Sequence, residues 1–166
     1  MKKNLGKNLG KILTCVSALL ALVAFFMMFA PAATRELLGK TYSLSGTDVT
    51  FGYEDSGVKL LGASANIVTY ILLIAGIACA VLAVLGKGGN IVRIVAAACF
   101  IVAGVFFFCS IAFASFYPEM DSGKIKDGLV EELKKQLSLG AGSIVGGILS
   151  ILSAVVVAVP LFIGKK

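Results

Sequence analysis

Six polar side chains interrupt the apolar stretches of this sequence and could bind a ligand or one another. Asn66 and Tyr70 are four residues apart and therefore share one face of a helix. Amides and hydroxyls within apolar helices ordinarily form hydrogen bonds between helices. The alternative is a pocket that accepts a lipid headgroup or another small ligand. The complete group, which we place in the outer half of the predicted bundle, is Asn66, Thr69, Tyr70, Ser110, Ser115 and Ser143.

Side chains suited to acid–base or metal chemistry are scarce. The chain has no histidine, so acid–base catalysis at neutral pH would need carboxylates in the polar segments. The adjacent acids Glu54 and Asp55, and the pair Glu119 and Asp121, are typical of solvated turns. The four cysteines form no C-x-x-C motif and lie in apolar runs, where small buried thiols are common. We therefore expect no enzymatic activity, no cofactor and no metal site.

The elements that position these residues follow from hydropathy. Of the 166 residues, 58% are hydrophobic and 14% charged, and the mean hydropathy of +0.99 is too high for a soluble domain. Four intervals, 12–34, 60–86, 94–118 and 136–164, lack Asp, Glu, Lys and Arg. Each exceeds the roughly 20 residues that cross a bilayer. The first also exceeds the apolar core of a usual signal peptide, and we interpret it as a span.

The sequence therefore predicts an all-α integral membrane protein that forms one domain over residues 1–166. It is a four-transmembrane-helix bundle with a small extracellular cap of short β-strands and one amphipathic helix. We expect the spans at 12–33, 62–86, 92–117 and 140–163. The outer loops then cover 34–61 and 118–139.

The distribution of cations indicates the orientation. Eight of the 15 Lys and Arg residues flank the predicted spans at the N-terminus, at 87–93 and at the C-terminus, where no acid occurs. Cytoplasmic flanks are enriched in cations, so we expect a protein of a bacterial plasma membrane with both termini in the cytoplasm. Lys3, Lys7 and Lys11 recur every four residues and either set this orientation or bind anionic lipid at the inner face. No basic face with nucleic-acid readers is visible.

The cap is predicted from two patterns. Apolar residues alternate with polar ones in the first outer loop, which indicates three short strands and places Val49, Phe51 and Tyr53 on one face. In the second outer loop, an amphipathic helix presents its apolar residues along one arc. It either covers the strands or lies in the headgroup layer. Its apolar residues are Ile125, Leu129, Val130, Leu133 and Leu137.

Small residues recur at helical spacing in the fourth span. Without a hydrophobic drive between helices in lipid, small residues allow the close backbone approach through which helices associate. The stripe either packs the chain's own bundle, which we favour, or faces a partner subunit. It comprises Gly142, Ser143, Gly146, Gly147, Ser150 and Ala154.

The layout of four spans with a longer first outer loop resembles the tetraspan arrangement of claudin-type proteins. The chain lacks the tryptophan motif and the loop cysteine pair of that family, so the resemblance is one of topology and carries over no residues. We expect a structural or accessory subunit whose partners are the lipid bilayer and either another membrane protein or a second copy. The alternatives are a small oligomeric transport or channel component and a membrane-bound immunity or inhibitor protein.

Overall fold

The computed structural model describes residues 2–37, 40–55, 58–61, 63–113, 115–118 and 137–163. Within these ranges the helices are α1 (Lys2–Phe26), α2 (Gly46–Phe51), α3 (Ser64–Val84), α4 (Gly89–Phe108), α5 (Ser110–Phe113) and α6 (Ala141–Ile163). The strands are β1 (Pro31–Leu37), β2 (Lys40–Ser45), β3 (Gly52–Asp55), β4 (Val58–Leu61), β5 (Ser115–Pro118) and β6 (Ser138–Leu139). The predicted helical bundle with a small β-containing part is therefore present.

Four helices, α1, α3, α4 and α6, are long and apolar enough to cross a membrane. They form a ring in which α1 contacts α3, α3 contacts α4, α4 contacts α6 and α6 contacts α1. Leu73, Phe100 and Val157 are fully buried at its centre, whereas the outward faces expose large aliphatic side chains. An apolar outer face around a packed core is the arrangement expected of a bundle surrounded by hydrocarbon.

Two of the predicted spans extend well beyond the C-terminal ends of the helices that occur, and α1 begins at Lys2, ten residues before the predicted span. The first helix ends at Phe26, a 3-10 turn covers Met27–Phe29, and β1 begins at Pro31, which has no N–H with which to continue a helix. Helix α4, which corresponds to the third predicted span, ends at Phe108, and Cys109 leaves the helical conformation. The apolar residues up to 117 then form α5 and β5.

The cap, which we define as α2 and the six strands, lies at one end of the bundle. Its strands form two antiparallel three-stranded sheets, in the orders β2-β1-β6 and β3-β4-β5. Ala33 pairs with Leu139 in the first sheet, and Leu60 pairs with Phe116 in the second. The cap therefore joins the chain on either side of α3 and α4 into one folded unit.

The first outer loop differs from the prediction in two ways: residues 31–61 contain four strands and not the three predicted, and one segment is helical. Val49 and Phe51 lie in helix α2, and only Tyr53 lies in a strand, β3. Val49 is 2% exposed and Phe51 is 66% exposed, so these two residues do not share a packed face. The reason is local: Ser45 and Asp48 form a capping box that starts a helix at Gly46.

Leu137 of the second outer loop was predicted to lie in the amphipathic helix, but it is not helical and directly precedes strand β6. Its side chain packs against the buried cluster of Ala32, Ala33 and Val49. The other residues of the predicted amphipathic helix, Ile125, Leu129, Val130 and Leu133, lie outside the described residues. Whether that helix covers the strands stays a prediction.

Candidate polar pocket beneath the cap

Helix α2 contacts the end of the bundle through its first residue, Gly46. The N–H of Gly46 donates to the carbonyl oxygen of Ala30 at 3.1 Å. A Cβ atom at position 46 would lie 2.7 Å from the carbonyl oxygen of Met28 and 2.9 Å from the hydroxyl of Tyr70. Glycine therefore allows α2 to approach the end of α1 and the side chain of Tyr70 more closely than any other residue would.

The last turn of α2 is held by the start of α3. The carbonyl oxygen of Val49 accepts a hydrogen bond from Asn66 Nδ2 at 3.3 Å and another from the backbone N–H of Ala63 at 3.3 Å. Asn66 is 4% exposed. A buried amide is costly unless it is bonded, so this contact explains how Asn66 is accommodated within an apolar helix.

Tyr70 extends the same connection one turn further along α3. Its hydroxyl is hydrogen-bonded to the side chain of Thr50, whose own hydroxyl donates to the Gly46 carbonyl oxygen at 2.6 Å. Because a threonine hydroxyl has one proton, Tyr70 is the donor in the shared bond. The ring of Tyr70 packs edge-on against Phe25 and Phe107, with centroids 5.9 and 5.8 Å apart.

The remaining predicted polar residues differ in their contacts and in the elements to which they belong. The hydroxyls of Ser110 and Ser143 lie 3.0 Å apart and join α5 to α6. Thr69 donates to the Ala65 carbonyl oxygen of its own helix at 3.2 Å. Ser115 belongs to β5. Five of the six residues thus line one pocket beneath the cap, together with Thr50 and Phe107.

The pocket is small, and polar and apolar side chains both line it. It leaves about 10 Å³ for the centres of water molecules, which is close to the space that one water needs. Ligand pockets usually measure about 300–1,000 Å³. In this conformation the pocket suits one bridging water rather than a headgroup, and its side chains hold the cap on the bundle.

The small-residue stripe of α6 faces the interior of the chain's own bundle. Cβ atoms at Gly146 and Gly147 would lie 2.9 Å from the ring of Phe107 and 2.7 Å from the ring of Phe108. Ser150 donates to the carbonyl oxygen of Phe100 at 2.8 Å. All the predicted members of the stripe are buried: Gly142, Ser143, Gly146, Gly147, Ser150 and Ala154.

Several contributors to helix packing were not predicted. Thr50 was not predicted because the segment around it was interpreted as a strand, although the Ser45-x-x-Asp48 capping pattern indicates a helix start. Ser17 donates to the carbonyl oxygen of Ser153 at 2.7 Å and ties α1 to α6. A hydroxyl that donates to a backbone carbonyl of another helix leaves no pattern in the sequence.

Comparisons with protein-family models, with curated proteins and with solved structures found no match to this chain. The class of this protein is therefore inferred from the fold. Four long apolar helices around a packed core are compatible with a multi-pass membrane protein.

Proposed function

We propose that this chain is a non-enzymatic multi-pass membrane protein of the plasma membrane, and that it meets a partner protein through its cap as a structural or accessory subunit. The observation that carries the proposal is the attachment of α2. Buried bonds from Asn66 and Tyr70 hold this helix on the bundle, so the cap is a fixed surface rather than a loose loop. Fixed surfaces lose little conformational entropy on binding.

Two exposed aromatic side chains of the cap would contact the partner protein. Tyr42 on β2 is 57% exposed, and Phe51 at the end of α2 is 66% exposed. Exposed aromatic residues on a rigid support are favoured anchors in protein interfaces. Since the small-residue stripe is buried in the bundle, lateral association with a partner would use the outward aliphatic faces of the helices and not that stripe.

Site-specific photo-crosslinking in cells tests the proposal. A photoreactive phenylalanine analogue placed at position 42 or 51 should give one discrete adduct of the same mass from both positions. Phe162, which is 76% exposed near the end of α6, is the matched control at the other end of the bundle. Failure to form an adduct from either cap position, or an identical adduct from position 162, would contradict recognition through the cap.

The transport alternative has less support from the interior of the bundle. Leu73 and Phe100 are fully buried between the helices, and the hydroxyls of Ser17 and Ser150 already donate to backbone carbonyls. Solute uptake by vesicles that contain the purified chain alone would favour transport over the accessory role. The immunity or inhibitor alternative would use the same cap surface, and it predicts that the crosslinked partner is a toxin.

A further inference from the structure

Arg93 of α4 is an unusual cation in this bundle. Its Nε atom is buried and has no hydrogen-bond partner. The side chain lies beside Gly10 of α1: a Cβ atom at position 10 would be 3.8 Å from Arg93 Nη2 and 3.4 Å from the Cβ atom of Pro160 on α6. The guanidinium group therefore lies where three helices meet, within van der Waals reach of position 10.

No acidic side chain of the long helices can neutralise this charge. Asp and Glu do not occur in α1, α3, α4 or α6, nor in the turn 85–88 between α3 and α4. The nearby charged side chains on these elements are cations, namely Lys11 on α1 and Lys87 in the turn, and both are exposed. A partly buried charge without a counter-ion is costly, and an anion from another molecule would lower that cost.

We propose that Arg93 is the centre of a binding site for a phosphate-bearing anion, with Lys11, which follows Gly10 on α1, at its edge. Guanidinium groups bind phosphate oxygens through paired N–H donors. This end of the bundle is opposite the cap, where the sequence predicts the cytoplasmic surface, and anionic phospholipids of that leaflet carry such a group. The site is independent of recognition through the cap, so either proposal can fail without the other.

Native mass spectrometry of the full chain in neutral detergent measures the binding. The probe is an equimolar mixture of phosphatidylglycerol and phosphatidylcholine. We expect the native chain to retain phosphatidylglycerol selectively, and Arg93→Gln to lower that selectivity at least about tenfold, the factor that follows from losing one hydrogen-bonded contact to a charged group. Lys87→Gln removes an equal charge outside this site and is the control. Equal retention by Arg93→Gln and the native chain, or equal losses in both variants, would overturn the proposal.

A second pair of variants keeps the test independent of whether Arg93→Gln folds. Gly10→Asp places a carboxylate beside the guanidinium group, and Gly10→Asn has nearly the same shape without the charge. We expect Gly10→Asp to unfold at a higher temperature in neutral detergent than Gly10→Asn, and to lose phosphatidylglycerol selectivity relative to it. Identical behaviour of the two variants would show that Arg93 needs no anion and would overturn the proposal.

The unfolding temperature of the chain distinguishes a lipid headgroup from a soluble anion as the source of the phosphate group. If the anion is a lipid headgroup, phosphatidylglycerol raises the unfolding temperature of the native chain and millimolar inorganic phosphate does not. If the anion is soluble, inorganic phosphate gives the same protection. Both results support the site, provided that Arg93→Gln abolishes the protection. Protection that persists in Arg93→Gln would contradict it.

Discussion

Asn66 donates its side-chain amide to the carbonyl oxygen of Val49 over 3.3 Å, and this bond joins the cap helix α2 to the first turn of α3. The bond connects Val49, the most buried apolar residue of α2, to Asn66. Without this bond the amide of Asn66 would be isolated in an apolar helix. The cap and the bundle are thereby one structural unit.

Removal of this bond should loosen α2 without unfolding the bundle. In Asn66→Ala, the Val49 carbonyl oxygen still accepts from Ala63, so we expect a loss of about 0.5–1.5 kcal/mol, the usual net value of one hydrogen bond. Hydrogen–deuterium exchange should accelerate in residues 47–51. Ser64→Ala, an exposed change in the same turn, is the control. Unchanged exchange in α2 would contradict the role assigned to Asn66.

The bond between Tyr70 and Thr50 should appear as a coupling energy. Tyr70→Phe and Thr50→Val each remove one partner, and the double variant should cost less than the two single losses together. We expect a coupling of about 0.6 kcal/mol, the average for interhelical hydrogen bonds within membranes. Thermal or denaturant unfolding of all four proteins measures it. Strictly additive losses would mean that the two hydroxyls act independently.

Enlargement of the buried stripe should destabilise the bundle itself. The position of a Cβ atom at Gly147 lies 2.7 Å from the Phe108 ring, so Gly147→Leu has to displace that ring and should cost roughly 1–3 kcal/mol, the range of core overpacking. Val145→Leu changes an exposed position of the same helix and should be nearly neutral. If Gly147→Leu were as stable as the native chain but lost a partner, the stripe would face that partner instead.

The long helices could be predicted from the sequence because their signal is local and strong. The spans predicted from charge-free intervals locate α3 and α6 to within two residues at each end, whereas α1 begins ten residues before the predicted span and ends seven residues before the span does. The third span was extended to 117 because Phe116 and Tyr117 continue the apolar run, although they lie in β5. Hydropathy does not distinguish a helix end from an apolar strand that follows it.

The cap was only partly predictable. Alternation of Val49, Phe51 and Tyr53 indicates a strand, but the capping box of Ser45 and Asp48 starts a helix there. The pairing of β1 with β6 and of β4 with β5 joins segments far apart in the sequence, and short strands carry too little local information to specify such partners. That Asn66, Tyr70 and Ser110 lie at one pocket follows from the predicted spans. The presence of Thr50 at the same pocket does not.

The orientation of the chain in the membrane is the claim on which the rest depends, and cysteine accessibility tests it most directly. In a variant whose four native cysteines are replaced by alanine, a single cysteine is placed at Ser43 on the exposed cap or at Lys87 in the opposite turn. A membrane-impermeant maleimide should label position 43 in intact cells and position 87 only after permeabilisation. Labelling of position 87 in intact cells, with position 43 protected until permeabilisation, would contradict the account.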